Sequence, residues 1–282
     1  MKSVIKRLLG INKLISIWGA VVLAGLVSMP VNAQQGIIML DANESPPFWS
    51  IKLPYDGMCG EIVHAISTEA DLISYVQFKP LTRLIEDDAN NDLGNPQFYM
   101  ANQDFSAVVP IAIYDTAIFY FKPNQSEKIR FKSLQDLKGY RIGILKGALS
   151  DRSIFDKAGL IFEESYTQKS LFKKLKLGRI DIVIEIDLLG KTIINELFPN
   201  EASQFESVAI PGTAAPIAIL MAEEYPDGNQ IGEKYREGLE AIIKNGKYHE
   251  ILEKYYGKDG VPLDWLDKLR RFDRIYNYRG ME

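Results

Sequence analysis
Short apolar runs alternate with amphipathic segments along most of this 282-residue chain, and that alternation constrains the fold more than any other feature. Residues 36–40 (GIIML), 74–78, 140–145 (YRIGIL) and 180–186 (IDIVIEI) read as strands. Residues 60–73, 168–177 and 188–197 carry apolar positions at helical spacing, and Gly178 stops the second of these. Such alternation predicts an α/β fold with mainly parallel sheets. Residues 107–121 are β-branched and aromatic, so strand-like, with Pro110 and Asp115 as interruptions. Breaks at 122–125 (KPNQ) and 211–216 separate a first part, a middle and a last part. The last part is helical over 235–245, 248–256 and 263–278. In 263–278, Trp265, Leu269 and Phe272 share one face, which predicts packing onto the protein body.

The first 33 residues read differently. Lys2, Lys6, Arg7 and Lys13 precede the apolar run LISIWGAVVLAGLV, and Val31-Asn32-Ala33 follows a proline. A basic start, an apolar middle and a small-residue site predict a cleaved secretory signal over 1–33. The run is shorter than the ~20 residues that span a bilayer. Removing that segment takes away four basic residues and no acid, leaving an acidic, exported chain. Such a chain is expected in the periplasm. One cysteine, Cys59, excludes an internal disulfide, and in an oxidising compartment it is expected to be buried.

Charge and residue counts exclude several functions. A formal charge of −4 argues against a nucleic-acid partner. Two histidines and one cysteine make a metal site or a Ser-His-Asp triad a poor reading, so no metal and no cofactor are expected. Residues 88–94 imitate the start of a calcium loop, but the glycine is one place late and the twelfth position is Tyr99 rather than Glu. No phosphate-binding glycine loop and no G-x-S-x-G is found.

Five segments, in order, carry a family resemblance. The segment 134–147 (LQDLKGYRIGILKG) resembles the "sLkdLkGkkvGv.kG" stretch of family 3 periplasmic solute-binding proteins, the receptors of polar amino-acid ABC importers. Residues 177–183 resemble that family's "l..GriDav", and 235–256, with Asn245-Gly246-Lys247-Tyr248, resemble its closing helices. Residues 44–48 match its "pPf" loop and 103–106 its "vdFs" step. The resemblance implies a type II two-lobed fold with two crossover strands and an interlobe cleft. Lobe 1 would hold 34–122 plus 216–282, and lobe 2 would hold 123–215. It also implies a monomer without enzymatic activity that carries a small polar solute to an inner-membrane ABC permease. A soluble sensor for a membrane signalling protein is the alternative, with a dehydratase-like enzyme third.

The chain departs from the family where an amino acid would be clamped. The family's carboxylate-binding arginine falls at Tyr99, and its ammonium-binding aspartate falls at Ile186, between Glu185 and Asp187. Ala148 stands for its threonine. Tight binding of common L-α-amino acids is therefore not expected, unless Arg83 or Arg152 reaches the cleft. The candidate ligand-binding residues are Asn43, Glu44, Phe48 and Trp49 in the first loop, Asn95, Gln97 and Tyr99 in the second, and Ser150, Arg152 and Glu185 in the middle part. That set, with aromatic faces and amide donors, predicts a small polar or cationic ligand.

Overall fold
The computed structural model describes residues 36–80, 83–84, 90–100, 103–146 and 156–277. The expected signal segment, most of residues 81–89 and residues 147–155 fall outside them.

Two five-stranded sheets form, in the orders β2-β1-β3-β10-β4 and β7-β6-β8-β5-β9. The first contains β1 (Ile38–Ala42), β2 (Ser74–Phe78), β3 (Asp92–Gly94), β4 (Phe105–Tyr114) and β10 (Ala215–Ala222). The second contains β5 (Thr116–Phe121), β6 (Arg141–Leu145), β7 (Ile161–Ser165), β8 (Ile182–Ile186) and β9 (Phe205–Ala209). Four of the eight strand pairings are parallel and four antiparallel. The expectation of mainly parallel sheets is thus corrected. Every antiparallel pairing involves β5 or β10, the two strands next to the passages between sheets, which run against the βαβ strands beside them.

The chain leaves the first sheet at a single residue, Asp115, and returns at Ala215. The sequence reading set the lobe boundary at 122. The Pro123 break there only ends β5 in a 3-10 turn over Lys122–Asn124. The two passages run side by side. Thr116 N–H donates to Thr213 Oγ1 (3.1 Å), and Ile210 N–H donates to the Thr116 carbonyl (3.0 Å). Pro110 is accommodated inside β4 because the pairing with β10 shifts register between Ile217 and Ala218, opposite it.

Seven helices are described: α1 (Met58–Glu69), α2 (Pro96–Tyr99), α3 (Gln168–Lys176), α4 (Asp187–Leu197), α5 (Gly228–Lys244), α6 (Lys247–Tyr256) and α7 (Trp265–Asn277). α1 packs on α5 and α6 through Met58, Cys59, Ile62, Val63 and Ile66. Cys59 is free and buried, as expected. α7 lies on β4, with Trp265 and Leu269 buried and Phe272 half-buried, as the stripe predicts. Trp265 Nε1 donates to the Tyr248 hydroxyl (2.9 Å), which donates to the Ile111 carbonyl (2.8 Å). Each large apolar side chain buried this way contributes about 1.5–3 kcal/mol. A Lys268–Asp115 ion pair (3.3 Å) ties α7 to the passage residue itself.

Candidate functional site
The parallel strands β1, β3, β6 and β8 all end on one cavity of about 420 Å³. Asn43 follows β1, Asn95 follows β3, Lys146 follows β6, and Ile186 ends β8; all four line it. The carboxyl ends of parallel strands are where open α/β sheets bind ligands. The volume falls in the ~300–1,000 Å³ range of small-molecule sites. A larger cavity of about 610 Å³ lies beside the passages, against Asp115, Pro211 and Lys268. Of the ends of these four strands, that of β8 also reaches this second cavity, through Asp187.

The first loop is held rigidly. Ser45 and Trp49 exchange two backbone hydrogen bonds (2.9 and 3.1 Å). Met58 N–H donates to the Pro47 carbonyl and Cys59 N–H to the Phe48 carbonyl, so the loop satisfies the free donors at the start of α1. Gly57 makes this possible. Its φ is +93°, and a Cβ there would sit 2.8 Å from the Pro47 carbonyl oxygen. Phe48 and Trp49 are consequently buried while still forming the cavity wall. Glu44 is exposed and does not line the cavity; its carboxylate accepts the Ile51 N–H (3.1 Å) and braces the loop.

The second loop is organised by Asn95. Its Oδ1 accepts the Gln97 N–H (3.0 Å), capping α2, while its Nδ2 donates to the Tyr114 hydroxyl (2.7 Å). Phe98 and Tyr99 line the cavity, whereas Gln97 is exposed outside the lining. Tyr99 packs on Gly94, where a Cβ would approach its ring to 2.5 Å. Burial, followed by the nearby Asp92 and Asp41 charges, pushes the Tyr99 phenol far up, so it stays protonated. Burial likewise raises Tyr114.

The second sheet contributes Leu145, Lys146 and Ile186 to the lining. The Lys146 ammonium donates to the Tyr166 hydroxyl (3.1 Å) and lies 4.7 Å from the centre of that ring. Glu185 precedes Ile186 on β8 and is not in the lining. Neighbouring strand residues face opposite ways. Its carboxylate accepts the Ile186 N–H (2.9 Å), and burial pushes its pKa up to about 7.

Of the ten residues proposed from sequence, Asn43, Phe48, Trp49, Asn95 and Tyr99 meet at this cavity, while Glu44, Gln97 and Glu185 lie outside its lining. Ser150 and Arg152 lie outside the described residues. Arg83 is exposed and does not line the cavity. Tyr114, Leu145, Lys146 and Ile217 were not anticipated. Lys146 had a legible signal, being the first charge after the strand RIGIL. Tyr114 and Ile217 sit in strands and read as core.

The arrangement of two α/β sheets, two adjacent passages and a cavity at strand ends is the two-lobed type II fold of periplasmic binding proteins. No protein-family model matches the chain. It is similar to the ABC transporter arginine-binding protein 1 of Escherichia coli (strain K12), with 32% identity over 139 residues, 46% of this chain and 53% of that protein. The chain spans about half the length of the curated relatives it matches. An ancestral arginine-binding protein bound to glutamine superposes with a TM-score of 0.57 at 23% identity, over 79% of this chain and 99% of that one. A histidine kinase sensor domain with similarity to periplasmic binding proteins superposes at 0.60 with 17% identity, over 79% and 96%. The resemblance to family 3 solute-binding proteins read from the sequence therefore stands.

Proposed function
We propose that this chain is an exported solute-binding protein that captures a small solute in the cleft and delivers it to an inner-membrane ABC importer. The observation that carries the reading is the cavity at the carboxyl ends of four strands from two different sheets. A solute held there touches both sheets, so binding favours a closed arrangement of the lobes about the paired passages at 115–116 and 210–214. In this reading lobe 1 follows the first sheet with α1 and α5–α7, and lobe 2 follows the second sheet. The similarity to an arginine-binding protein of an ABC transporter supports an importer as the partner. The protein acts as a monomer in the periplasm and catalyses no reaction.

The test is a thermal-shift screen of amino acids, polyamines, betaines and organic acids, followed by reconstitution of the hit with the importer. A solute at 100 times its dissociation constant should stabilise the protein by about 2.7 kcal/mol. The liganded protein should then stimulate ATP hydrolysis by an importer in vesicles. A sensor is the second reading, favoured by the superposition on the kinase sensor domain. It gains the argument if the liganded protein leaves importers idle and co-purifies with a membrane kinase.

A further inference from the structure
We propose that the solute is a monocarboxylate carried on an aromatic or branched aliphatic body, without an α-ammonium group. This rests on the solute-binding reading above and names its substrate class.

The charges around the cavity lead to it. Among the described residues, Lys146 is the one charged side chain in the lining, and no carboxylate lines it. Among the described residues, the lysine's partners are a neutral phenol and its ring, and no acid pairs with it. A ligand carboxylate supplies what is missing, as a charge-assisted bond about twice as strong as a neutral one.

Among the described residues the lining offers the opposite charge no partner. An α-ammonium wants an acid, and the acids beside the lining are committed or turned away: Asp187, next to Ile186, pairs with Lys191 (2.6 Å). Glu44 holds the Ile51 N–H of its own loop. Glu185 lies on the other face of β8 from Ile186, which occupies the wall. An ammonium inside would be a desolvated, unpaired ion, a strongly unfavourable state.

The remaining wall suits an apolar body. Phe48, Trp49, Phe98, Ile186 and Ile217 surround the cavity with carbon. The hydroxyl of Tyr114 already accepts from Asn95, which leaves its own proton to donate. Together with Lys146 it gives a carboxylate two donors, one from each sheet.

A matched trio tests the assignment: 3-phenylpropanoate, L-phenylalanine and phenethylammonium share one body and differ only in charge. Calorimetric titration should give at least tenfold tighter binding for 3-phenylpropanoate than for either amine. Lys146→Met should lose at least tenfold for 3-phenylpropanoate while the unliganded melting temperature stays put. Ile186→Asp should shift preference toward L-phenylalanine by restoring an acid. Equal or tighter binding of either amine overturns the proposal, as does a Lys146→Met variant that keeps its affinity; the solute-binding reading then stands, because a solute still binds. Failure of all three compounds also overturns it. Thermal stabilisation by some other solute would then keep the solute-binding reading, and none at all would remove both.

Discussion
The two walls of the cavity are built on different terms. The first sheet and its loops supply most of the lining, and Phe48, Trp49 and Tyr99 there are only 2–4% exposed. These side chains belong to the protein's cores and to the wall of the candidate site at once. The second sheet supplies Leu145, Lys146 and Ile186, and Lys146 is exposed. The first wall is therefore organised before a ligand arrives, so little ordering entropy is lost there on binding. The second wall brings charge on a side chain that folding does not need. In the proposed site, shape selection and charge selection fall to different sheets.

The largest effect separating the walls should come from Trp49→Ala. Removing a buried tryptophan from the first wall should cost about 3–5 kcal/mol of stability, measured by denaturant unfolding. A cost under about 1 kcal/mol would break the comparison, since that wall would then not be part of the core.

Next comes a pH dependence on the second sheet. Glu185 has a native pKa of about 7 against an ordinary value of 4.5. Between those values the native state binds more protons at this site than the unfolded chain. Its contribution therefore makes stability fall as pH rises through that window, by up to ~3 kcal/mol, and level off above it. Melting curves from pH 4 to 8 should show this slope, and Glu185→Gln should flatten it. An unchanged slope in the variant would mean the carboxyl is better solvated than its place beside Ile186 implies.

Smaller again is Asn95→Ala. It removes the cap of α2 and the donor to Tyr114, which should cost about 1–2 kcal/mol. The smallest stability effect should be that of Lys146→Met, within about 0.5 kcal/mol. A loss of several kcal/mol there would show that the second wall, too, is built into the core.

Much of the fold was legible because its signals are local. The face of Trp265, Leu269 and Phe272 predicts which side of α7 packs. The apolar runs of β1, β6 and β8 belong to interior strands of their sheets, although Met39 of β1 is exposed. β7 was not read as a strand: it lies at the sheet edge, Ile161 is 75% exposed, and its Glu163 and Glu164 face water. An edge strand with one neighbour needs little apolar surface, so it leaves little pattern. The single-residue passage at Asp115 was read only as an interruption of one strand. Nothing in the composition marks the point where a continuous β-branched stretch changes sheet.

The candidate site divides in the same way. The loops after β1 and β3 announced themselves by proline, asparagine and aromatic residues, and Asn43, Phe48, Trp49, Asn95 and Tyr99 were named from them. Glu44 and Gln97 came with the same loops. Which side chains of a loop point inward depends on backbone turns that composition does not specify, such as the Ser45–Trp49 bridge.

The sequence by itself determined most of the elements, the buried stripes and which residues, Tyr99 and Ile186, stand where the family it resembles clamps an amino acid. Those depend on residue type and on spacing along a few turns of chain. Only the tertiary structure decided that Asn43, Asn95, Lys146 and Ile186 meet around one cavity. It also decided that Glu185 turns from that cavity and holds its proton up to about pH 7. Convergence and burial are set by strand order and register between segments far apart in the chain. Those long-range pairings follow from packing the whole core, and no local pattern of residues records them.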